Sequence, residues 1–244
     1  MYVEMRNINK TFDGFQASKE VSFGIEKGRL AALLGPSGSG KTTILRMIAG
    51  LDVPDSGDIL INGERVNHLP GSKRGIGFVF QNYALFRYMT VAQNIAFGLE
   101  VQKKSRKEIQ NRVDELLELI SMQDLGKRYP HQLSGGQKQR TAFARALAPN
   151  PRLLLLDEPF AAIDAKVRRE LRTWLKEMIR GVGITSIFVT HDQEEAMEVA
   201  DQIIITNHGR IEQIGSPEEI CTEPQTEFVK EFIDVERVRK NAAV

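Results

Sequence analysis

The chain has 244 residues, 41% of them hydrophobic and 27% charged, which is enough apolar material for a sizeable core in one or two domains. Its 33 basic and 32 acidic side chains leave a net charge of +1, which argues against bulk electrostatic binding to nucleic acid or to an anionic membrane. The single cysteine, Cys221, excludes an internal disulfide framework, and no apolar run approaches the roughly 18 residues that span a bilayer. The N-terminus lacks a signal-peptide pattern, so we expect a soluble intracellular protein that meets a membrane only through other proteins.

Strand-like and helical segments alternate along most of the chain. The first thirty residues show short alternating segments that predict an antiparallel β element. Apolar runs and helical spacing then predict strands over 29–34, 153–156 and 186–190, and helices over 42–49, 104–120, 138–147 and 165–180. This alternation indicates an α/β core with a mostly parallel sheet, formed by about 1–81 and 151–225. A helical subdomain inserted over about 82–150 and a C-terminal helix or tail over about 226–244 complete the predicted organisation.

A phosphate-binding loop is the first motif that carries chemistry. Residues 35–42 read G-P-S-G-S-G-K-T, which matches G-x-x-x-x-G-K-[ST] in full between a predicted strand and a predicted helix. Glycines let backbone N–H groups converge on phosphate oxygens, and the helix adds its positive N-terminal end. Lys41 adds a charge that reaches the β and γ phosphates, and the Thr42 hydroxyl is a hard oxygen ligand for Mg²⁺. A chance glycine loop, the alternative, arises in roughly 1% of chains of this length.

Two acidic residues follow the predicted strand over 153–156. Asp157 and Glu158 stand where α/β sheets bind ligands, at the carboxyl end of a buried strand. Asp157 suits coordination of Mg²⁺, and Glu158 suits a general base that orients or deprotonates an attacking water. Taken alone, the pair could equally begin an ordinary solvated loop. The complete phosphate loop upstream favours the catalytic interpretation.

A second anion site is predicted at residues 133–137, which read L-S-G-G-Q before a helical run. Ser134 and Gln137 stand at the spacing of a capping box, so this is also an ordinary helix N-terminus, and the two interpretations are compatible. Two phosphate-type sites in one small chain could serve one nucleotide only if the chain folds them together, or if two chains face each other.

From about residue 3 to residue 233, the sequence resembles the ATP-binding subunits of ATP-binding-cassette (ABC) transporters, because these motifs stand in that family's order. The resemblance implies that adenine stacks on Phe12 and that Gln81 touches Mg²⁺ or the attacking water. It also implies that Asp164 is the aspartate of the D-loop and that His191 contacts the γ-phosphate. The implied fold is a P-loop NTPase core of the ABC type, and the implied activity is ATP hydrolysis with ATP and Mg²⁺.

The resemblance assigns three roles to residues of the site. The nucleotide-binding residues are Phe12, Gly35, Pro36, Ser37, Gly38, Ser39, Gly40, Lys41, Thr42, Thr43, Ser134, Gly135, Gly136, Gln137 and Asp164. The catalytic residues are Glu158, His191 and Gln81, and the metal ligands are Thr42, Gln81 and Asp157. Taken singly, Phe12 could instead be a core residue, His191 a hydrogen-bonded structural histidine and Asp164 a helix N-cap.

The resemblance also implies partners. Two ATP-binding subunits, expected to be identical, sandwich two ATP molecules, and each site joins the phosphate loop and the acidic pair of one chain to Ser134 and Gly136 of the other. The γ-phosphate binds the closed state tightly, so hydrolysis releases the dimer. We expect the dimer to dock on two integral membrane permease subunits at the cytoplasmic face of the inner membrane, with an extracytoplasmic solute-binding protein acting indirectly. No nucleic acid is expected.

The stretch over residues 82–91 corresponds to the part of the family that docks a helix of the membrane subunit. Five bulky residues stand in it: Tyr83, Leu85, Phe86, Tyr88 and Met89. Exposed aromatics would suit an interface, but the same residues could fill the core of the inserted subdomain. The amino-acid sequences of this stretch, of the phosphate loop and of residues 164–168 resemble those of importers of the sulfate/thiosulfate type. Polyamine, iron(III) and sugar importers share much of it.

The sequence departs from the importer pattern in two places. Residues 161–164 read A-A-I-D where these importers usually carry G-A-L-D, a small apolar change that we expect activity to survive. Such importers also usually continue into a C-terminal regulatory β-barrel, and since this sequence ends at Val244 we expect either a truncated or a short-form subunit. Three other functions remain open: an exporter motor, a soluble ABC ATPase acting on ribosomes or DNA, and a cassette that binds without hydrolysing. The intact Lys41, Glu158 and His191 argue against the last.

Overall fold

The structure is a computed structural model that describes residues 1–161 and 165–233. Contacts divide the chain into two compact units. The first unit comprises Met1–Arg74 and the chain from Leu175 onward, and the second comprises Gly75–Trp174. Within the described residues, no helix combines the length and the apolar character that crossing a membrane requires.

In the part of the chain before residue 102, the structure has these elements: β1 (Val3–Phe12), β2 (Phe15–Ile25), β3 (Leu30–Leu34), α1 (Lys41–Ala49), β4 (Ser56–Ile61), β5 (Glu64–Arg65), β6 (Ile76–Val79) and α2 (Val91–Val101). The later elements are α3 (Arg106–Leu119), α4 (Gly135–Leu147), β7 (Leu153–Asp157), α5 (Ala165–Val182), β8 (Thr185–Thr190), α6 (Gln193–Val199), β9 (Gln202–Asn207), β10 (Arg210–Gly215), α7 (Pro217–Thr222) and α8 (Glu227–Phe232).

An antiparallel sheet of the first unit contains the N-terminal strands, in the order β2-β1-β4-β5. β1 and β2 form a hairpin in which Phe12 pairs with Phe15 across the turn. The two turn residues, Asp13 and Gly14, have φ of 44° and 85°, and this left-handed pair matches the right-handed twist of the strands. The antiparallel β element predicted for the first thirty residues is therefore confirmed.

The apolar strands form the parallel part of the fold. In the first unit, β3 lies between β8 and β9 and runs parallel to both, and β10 joins the outer side of β9 in the antiparallel sense. In the second unit, β6 and β7 are parallel partners. All five residues of β3 are buried, as are Leu153–Leu156 of β7, because a parallel strand covered on both faces needs apolar side chains at every position. The α/β class with a mostly parallel sheet is confirmed.

Helices α2, α3 and α4 lie in the second unit, and each begins at a capping box. The helix expected over 104–120 runs from Arg106 to Leu119, with Ser105 as its N-cap. The helix expected to end at residue 180 continues to Val182, and Gly183 follows with a φ of 69°. A left-handed glycine after the last turn is a common way for a helix to end.

Candidate functional site

The phosphate loop joins β3 to α1 in the first unit, and its glycines meet different surroundings. A Cβ added to Gly35 would lie 2.2 Å from the Thr206 carbonyl oxygen, and one added to Gly40 would lie 2.1 Å from the Ala17 carbonyl oxygen. Glycine at these positions is therefore required by the close approach of β9 and β2. Gly38 has a φ of 80° and no heavy atom within 4 Å of an added Cβ, so the space over this part of the loop is open.

A chain of hydrogen bonds holds the loop to β9. The Lys41 ammonium is buried and donates to the carbonyl oxygens of Gly35 and Pro36, each at 2.8 Å, and to Ser39 Oγ at 3.3 Å. Ser39 Oγ lies 2.9 Å from Thr206 Oγ1, which donates to the Leu34 carbonyl oxygen at 3.3 Å. Thr206 was not among the predicted site residues, although a threonine after three isoleucines in an apolar strand is a polar residue that needs a partner.

The other loop residues divide by exposure. Ser37, Gly38 and Thr42 are exposed, whereas Ser39 and Lys41 are buried. Pro36, Gly40 and Thr43 are partly buried. The exposed residues therefore lie on both sides of Gly40, which is the N-cap of α1, and Thr42 belongs to the first turn of that helix. The loop therefore combines an exposed glycine, the positive end of a helix and an exposed hydroxyl, a combination that suits a phosphate.

His191 lies at the same edge of the sheet as the phosphate loop. Leu34 and Thr190 are paired in the parallel register of β3 and β8, and the loop and His191 directly follow them. His191 is exposed. The Thr190 hydroxyl donates to Glu195 Oε2 at 2.5 Å and accepts the Asp192 N–H at 3.0 Å, which fixes the backbone on both sides of the histidine. The first unit therefore brings His191 and the loop together.

Phe12 ends β1 and is 41% exposed, so the alternative interpretation as a core residue is wrong. The Lys10 ammonium lies 5.0 Å from the centroid of its ring, within the range of a cation–π contact. An exposed aromatic ring in a fixed position is a surface on which a flat heterocycle can stack.

Gln81 and Glu158 meet in the second unit. β6 and β7 pair in parallel up to Val79 and Leu156, and the two residues follow their carboxyl ends. Gln81 Nε2 donates to Glu158 Oε2 at 3.0 Å. Glu158 has a φ of 45°, an uncommon conformation for a residue with a side chain that is often found at functional sites. Asp157 is the last residue of β7.

Ser134 is the N-cap of α4. Its Oγ accepts the Gln137 N–H at 3.3 Å, and Gln137 Oε1 accepts the Ser134 N–H at 3.0 Å. Ser134 and Gly135 are exposed, and Gly136 is buried, with an added Cβ 3.3 Å from Val167 Cγ1. The predicted capping box is confirmed, and the exposed helix N-terminus retains the geometry of an anion site. Asp164 lies outside the described residues.

The predicted metal ligands suit Mg²⁺ by their chemistry. Thr42 offers a hydroxyl, Asp157 a carboxylate and Gln81 an amide oxygen, all hard donors. In residues 1–161 and 165–233, no group of three or more His, Cys, Asp or Glu side chains could hold a metal ion. Mg²⁺ is usually held by one or two carboxylates together with substrate phosphates, so these residues fit it.

The bulky residues of 82–91 were predicted either to form an interface or to fill the core, and they divide between the two. Tyr88 is 95% exposed and Tyr83 is 7% exposed, so the first suits an interface and the second fills the core. A cavity of about 710 Å³ lies beside both, lined also by Tyr129, His131 and Lys138. These last three residues come from a distant segment of the chain and were not predicted to lie beside this stretch.

Arg145 of α4 binds the backbone of this stretch. Its guanidinium donates to the carbonyl oxygens of Tyr83 at 2.7 Å and Ala84 at 2.6 Å, and lies 5.5 Å from the ring centroid of Phe86. Tyr83 and Ala84 have φ of 62° and 45°. Two successive left-handed residues with side chains are costly, and Arg145 stabilises the carbonyl orientation that they create.

Comparison with known proteins gives consistent findings. The family model for ABC transporters matches residues 18–161. The sulfate/thiosulfate import ATP-binding protein CysA of Thermosynechococcus vestitus is 58% identical over 233 residues, which cover 96% of this chain and 69% of that protein. The protein of the same name from Bradyrhizobium diazoefficiens is 58% identical over 237 residues, 96% of this chain and 69% of that protein.

A solved structure matches the fold. It is the dimeric ATP-binding cassette MJ0796 in a post-hydrolysis state bound to ADP and Pi, with a TM-score of 0.77 and 34% sequence identity. The match covers 88% of this chain and 98% of that one.

Proposed function

This chain belongs to the ABC transporter family, and from that premise we propose that it is the ATP-hydrolysing subunit of an importer of sulfate or thiosulfate. The observation that carries the proposal is an identity of 55–58%, over 96–100% of this chain and 69% of the relatives, with proteins named for sulfate/thiosulfate import. The exposed aromatic rings of Tyr88 and Phe86 support the transport part, because an ATPase that drives import needs a surface for its membrane partner.

The phosphate loop is the part of the site that binds the phosphates of ATP. Its open face at Gly38 offers room for them, and Lys41 and the N-terminus of α1 supply positive charge. Bound Mg²⁺ would neutralise negative charge on the phosphates, with Thr42, Asp157 and Gln81 as its protein ligands. Phe12 offers its exposed ring to the adenine.

Hydrolysis in this proposal depends on positioning and on one proton acceptor. Glu158 accepts the proton of the attacking water, while the amide of Gln81 holds its carboxylate through the observed hydrogen bond. His191 donates a hydrogen bond to the γ-phosphate oxygens. Its place at the end of β8, the neighbour of the strand that leads into the phosphate loop, supports this role. Catalysis of phosphoryl transfer is mostly positioning and charge stabilisation, so few residues need to exchange protons.

We infer that two copies of the chain act together. The exposed N-terminus of α4, with Ser134 and Gly135, is an anion site that the partner copy's nucleotide would meet. The dimeric state of the related cassette supports this inference. The dimer would dock on two permease subunits at the cytoplasmic face of the inner membrane and respond to a solute-binding protein outside.

Glu158→Gln tests the hydrolytic role. The substitution keeps the shape and an acceptor for Gln81, so ATP binding should persist while turnover falls by about 10²- to 10⁴-fold, the usual contribution of a general base. Glu100→Gln, an exposed carboxylate on α2, is the matched control and should retain wild-type turnover. Hydrolysis by Glu158→Gln at near the wild-type rate would remove Glu158 from the proposed mechanism.

A pull-down with the tagged Glu158→Gln protein tests the transport role. With ATP and Mg²⁺ in mild detergent, native membranes should yield integral membrane subunits. The ATPase activity of the wild-type complex, reconstituted with its solute-binding protein, should then rise with sulfate or thiosulfate and not with spermidine, iron(III) or maltose. Recovery of ribosomal proteins or nucleic acid without a membrane subunit would favour the second candidate, a soluble ABC ATPase.

A further inference from the structure

Phe12 stands at the tip of the β1–β2 hairpin, directly before its two turn residues. Its cross-strand partner Phe15 is also exposed, at 60%. A bulge in the hairpin lies at Ala17, because Lys10 pairs with Ser18 and the next residue of β1 pairs with Gln16. The Ala17 carbonyl is the group that approaches Gly40 of the phosphate loop. The hairpin therefore approaches the phosphate loop close to its tip, through Ala17 on the strand opposite Phe12.

Lys10 and Asp55 contact the Phe12 side of this tip. Lys10 precedes Phe12 by two positions on β1, so both side chains lie on one face of the sheet. Its ammonium lies 5.0 Å from the ring centroid and donates to Asp55 Oδ1 at 2.8 Å. The side chain of Lys10 is only 16% exposed, so the ammonium is held in place.

Asp55 is itself fixed to β1 by the backbone. Its Oδ2 accepts the Thr11 N–H at 2.7 Å, and its own N–H donates to the Asn9 carbonyl oxygen at 2.8 Å. The hydrogen bonds from Lys10 and Thr11 hold the pKa of the Asp55 carboxyl below its ordinary value of 3.8, so it is ionised at neutral pH. Lys10, paired with Asp55, therefore sits over one face of the Phe12 ring, and the ring is 41% exposed.

We propose that Lys10 and Asp55 are positioning residues for base recognition, which fix the ring of Phe12 for stacking against the adenine. This inference rests on the proposed function of Phe12. A ring that is ordered before the nucleotide arrives loses less conformational freedom on binding, and that difference appears as affinity. An exposed cation–π contact of this kind corresponds to about a two- to fivefold change in a dissociation constant.

The test compares ADP with inorganic pyrophosphate, which share two phosphates and differ by the adenosine. Lys10→Met should raise the dissociation constant of ADP about two- to fivefold and leave that of pyrophosphate unchanged. In a Phe12→Ala background, Lys10→Met should have no further effect. Lys10→Arg keeps a cation beside the Phe12 ring and Asp55, so its ADP affinity should equal that of the wild type. Lys19→Met, at an exposed lysine of β2, is the matched control and should bind both ligands as the wild type does.

The outcomes separate the inference from the function beneath it. Equal weakening of ADP and pyrophosphate by Lys10→Met would mean that Lys10 acts as a general charge for phosphates, and would overturn the positioning role. So would an effect of Lys10→Met that persists in the Phe12→Ala background. Loss of ADP affinity in Phe12→Ala with none in Lys10→Met would overturn the positioning role alone. Unchanged ADP affinity in Phe12→Ala would overturn the stacking role of Phe12 itself.

Discussion

Alanine substitutions at two glycines of the phosphate loop should impair different properties: the stability of the fold in one case and nucleotide binding in the other. Gly38 and Gly40 both have left-handed backbone, with φ of 80° and 95°. They differ in the space around an added Cβ, which is open at Gly38 and lies 2.1 Å from the Ala17 carbonyl oxygen at Gly40. Gly40→Ala should therefore mainly destabilise the fold, and Gly38→Ala should mainly weaken nucleotide binding.

The magnitudes follow from these two terms. Left-handed backbone costs a residue with a side chain about 1–2 kcal/mol, and both variants incur this cost. The contact at Gly40 is with backbone, which cannot rotate away, so a backbone shift adds about 1–3 kcal/mol as in other overpacked sites. The expected loss of unfolding free energy is thus about 1–2 kcal/mol for Gly38→Ala and about 2–5 kcal/mol for Gly40→Ala.

Urea unfolding followed by circular dichroism measures the stability, and calorimetric titration with ADP measures the binding. The methyl group of Gly38→Ala occupies the open space over the loop. The ADP affinity of this variant should therefore fall by more than its small loss of unfolding free energy explains. Equal destabilisation by the two variants would refute the steric reasoning. ADP affinity of Gly38→Ala equal to that of the wild type would mean that the open space at Gly38 is not where the phosphates bind.

Two further predictions concern the second unit. Arg145→Met removes two charge-assisted hydrogen bonds to strained backbone and should lower the free energy of unfolding by about 2–4 kcal/mol, with faster hydrogen exchange over residues 82–89. Arg152→Met, at an exposed position, is its control, and equal stability of the two variants would contradict the role of Arg145. Hydrogen bonds from Ser105 hold the pKa of Glu108 below its ordinary 4.5, so the stabilisation by the charged carboxylate is complete above that pH and is lost as pH falls through the lower folded value. Glu108→Gln should therefore unfold more easily than the wild type at pH 7 and converge with it only below about pH 4.5, and a gap that closes already at pH 6 would contradict this.

Much of the local structure is determined by residues close together in the sequence. The capping boxes at Ser105 and Ser134 were predictable because each needs only two residues three positions apart. The buried parallel strands were predictable because full burial demands an unbroken apolar run, as in Leu153–Leu156. The motifs of the phosphate loop and the acidic pair were readable for the same reason, since their residue types and spacing are fixed by the chemistry of phosphate and Mg²⁺.

The partners of these motifs were decided by tertiary structure alone. Ser39 and Thr206 are 167 positions apart, and Gln81 and Glu158 are 77 apart, yet each pair shares a hydrogen bond. Such contacts depend on which strands become neighbours and in what register, and no local pattern encodes that choice. The exposure of Phe12 has the same origin, because an aromatic residue at a strand end is buried or open according to what packs over it. The sequence by itself therefore determined which chemical groups the site contains, and the fold determined what holds each of them in place.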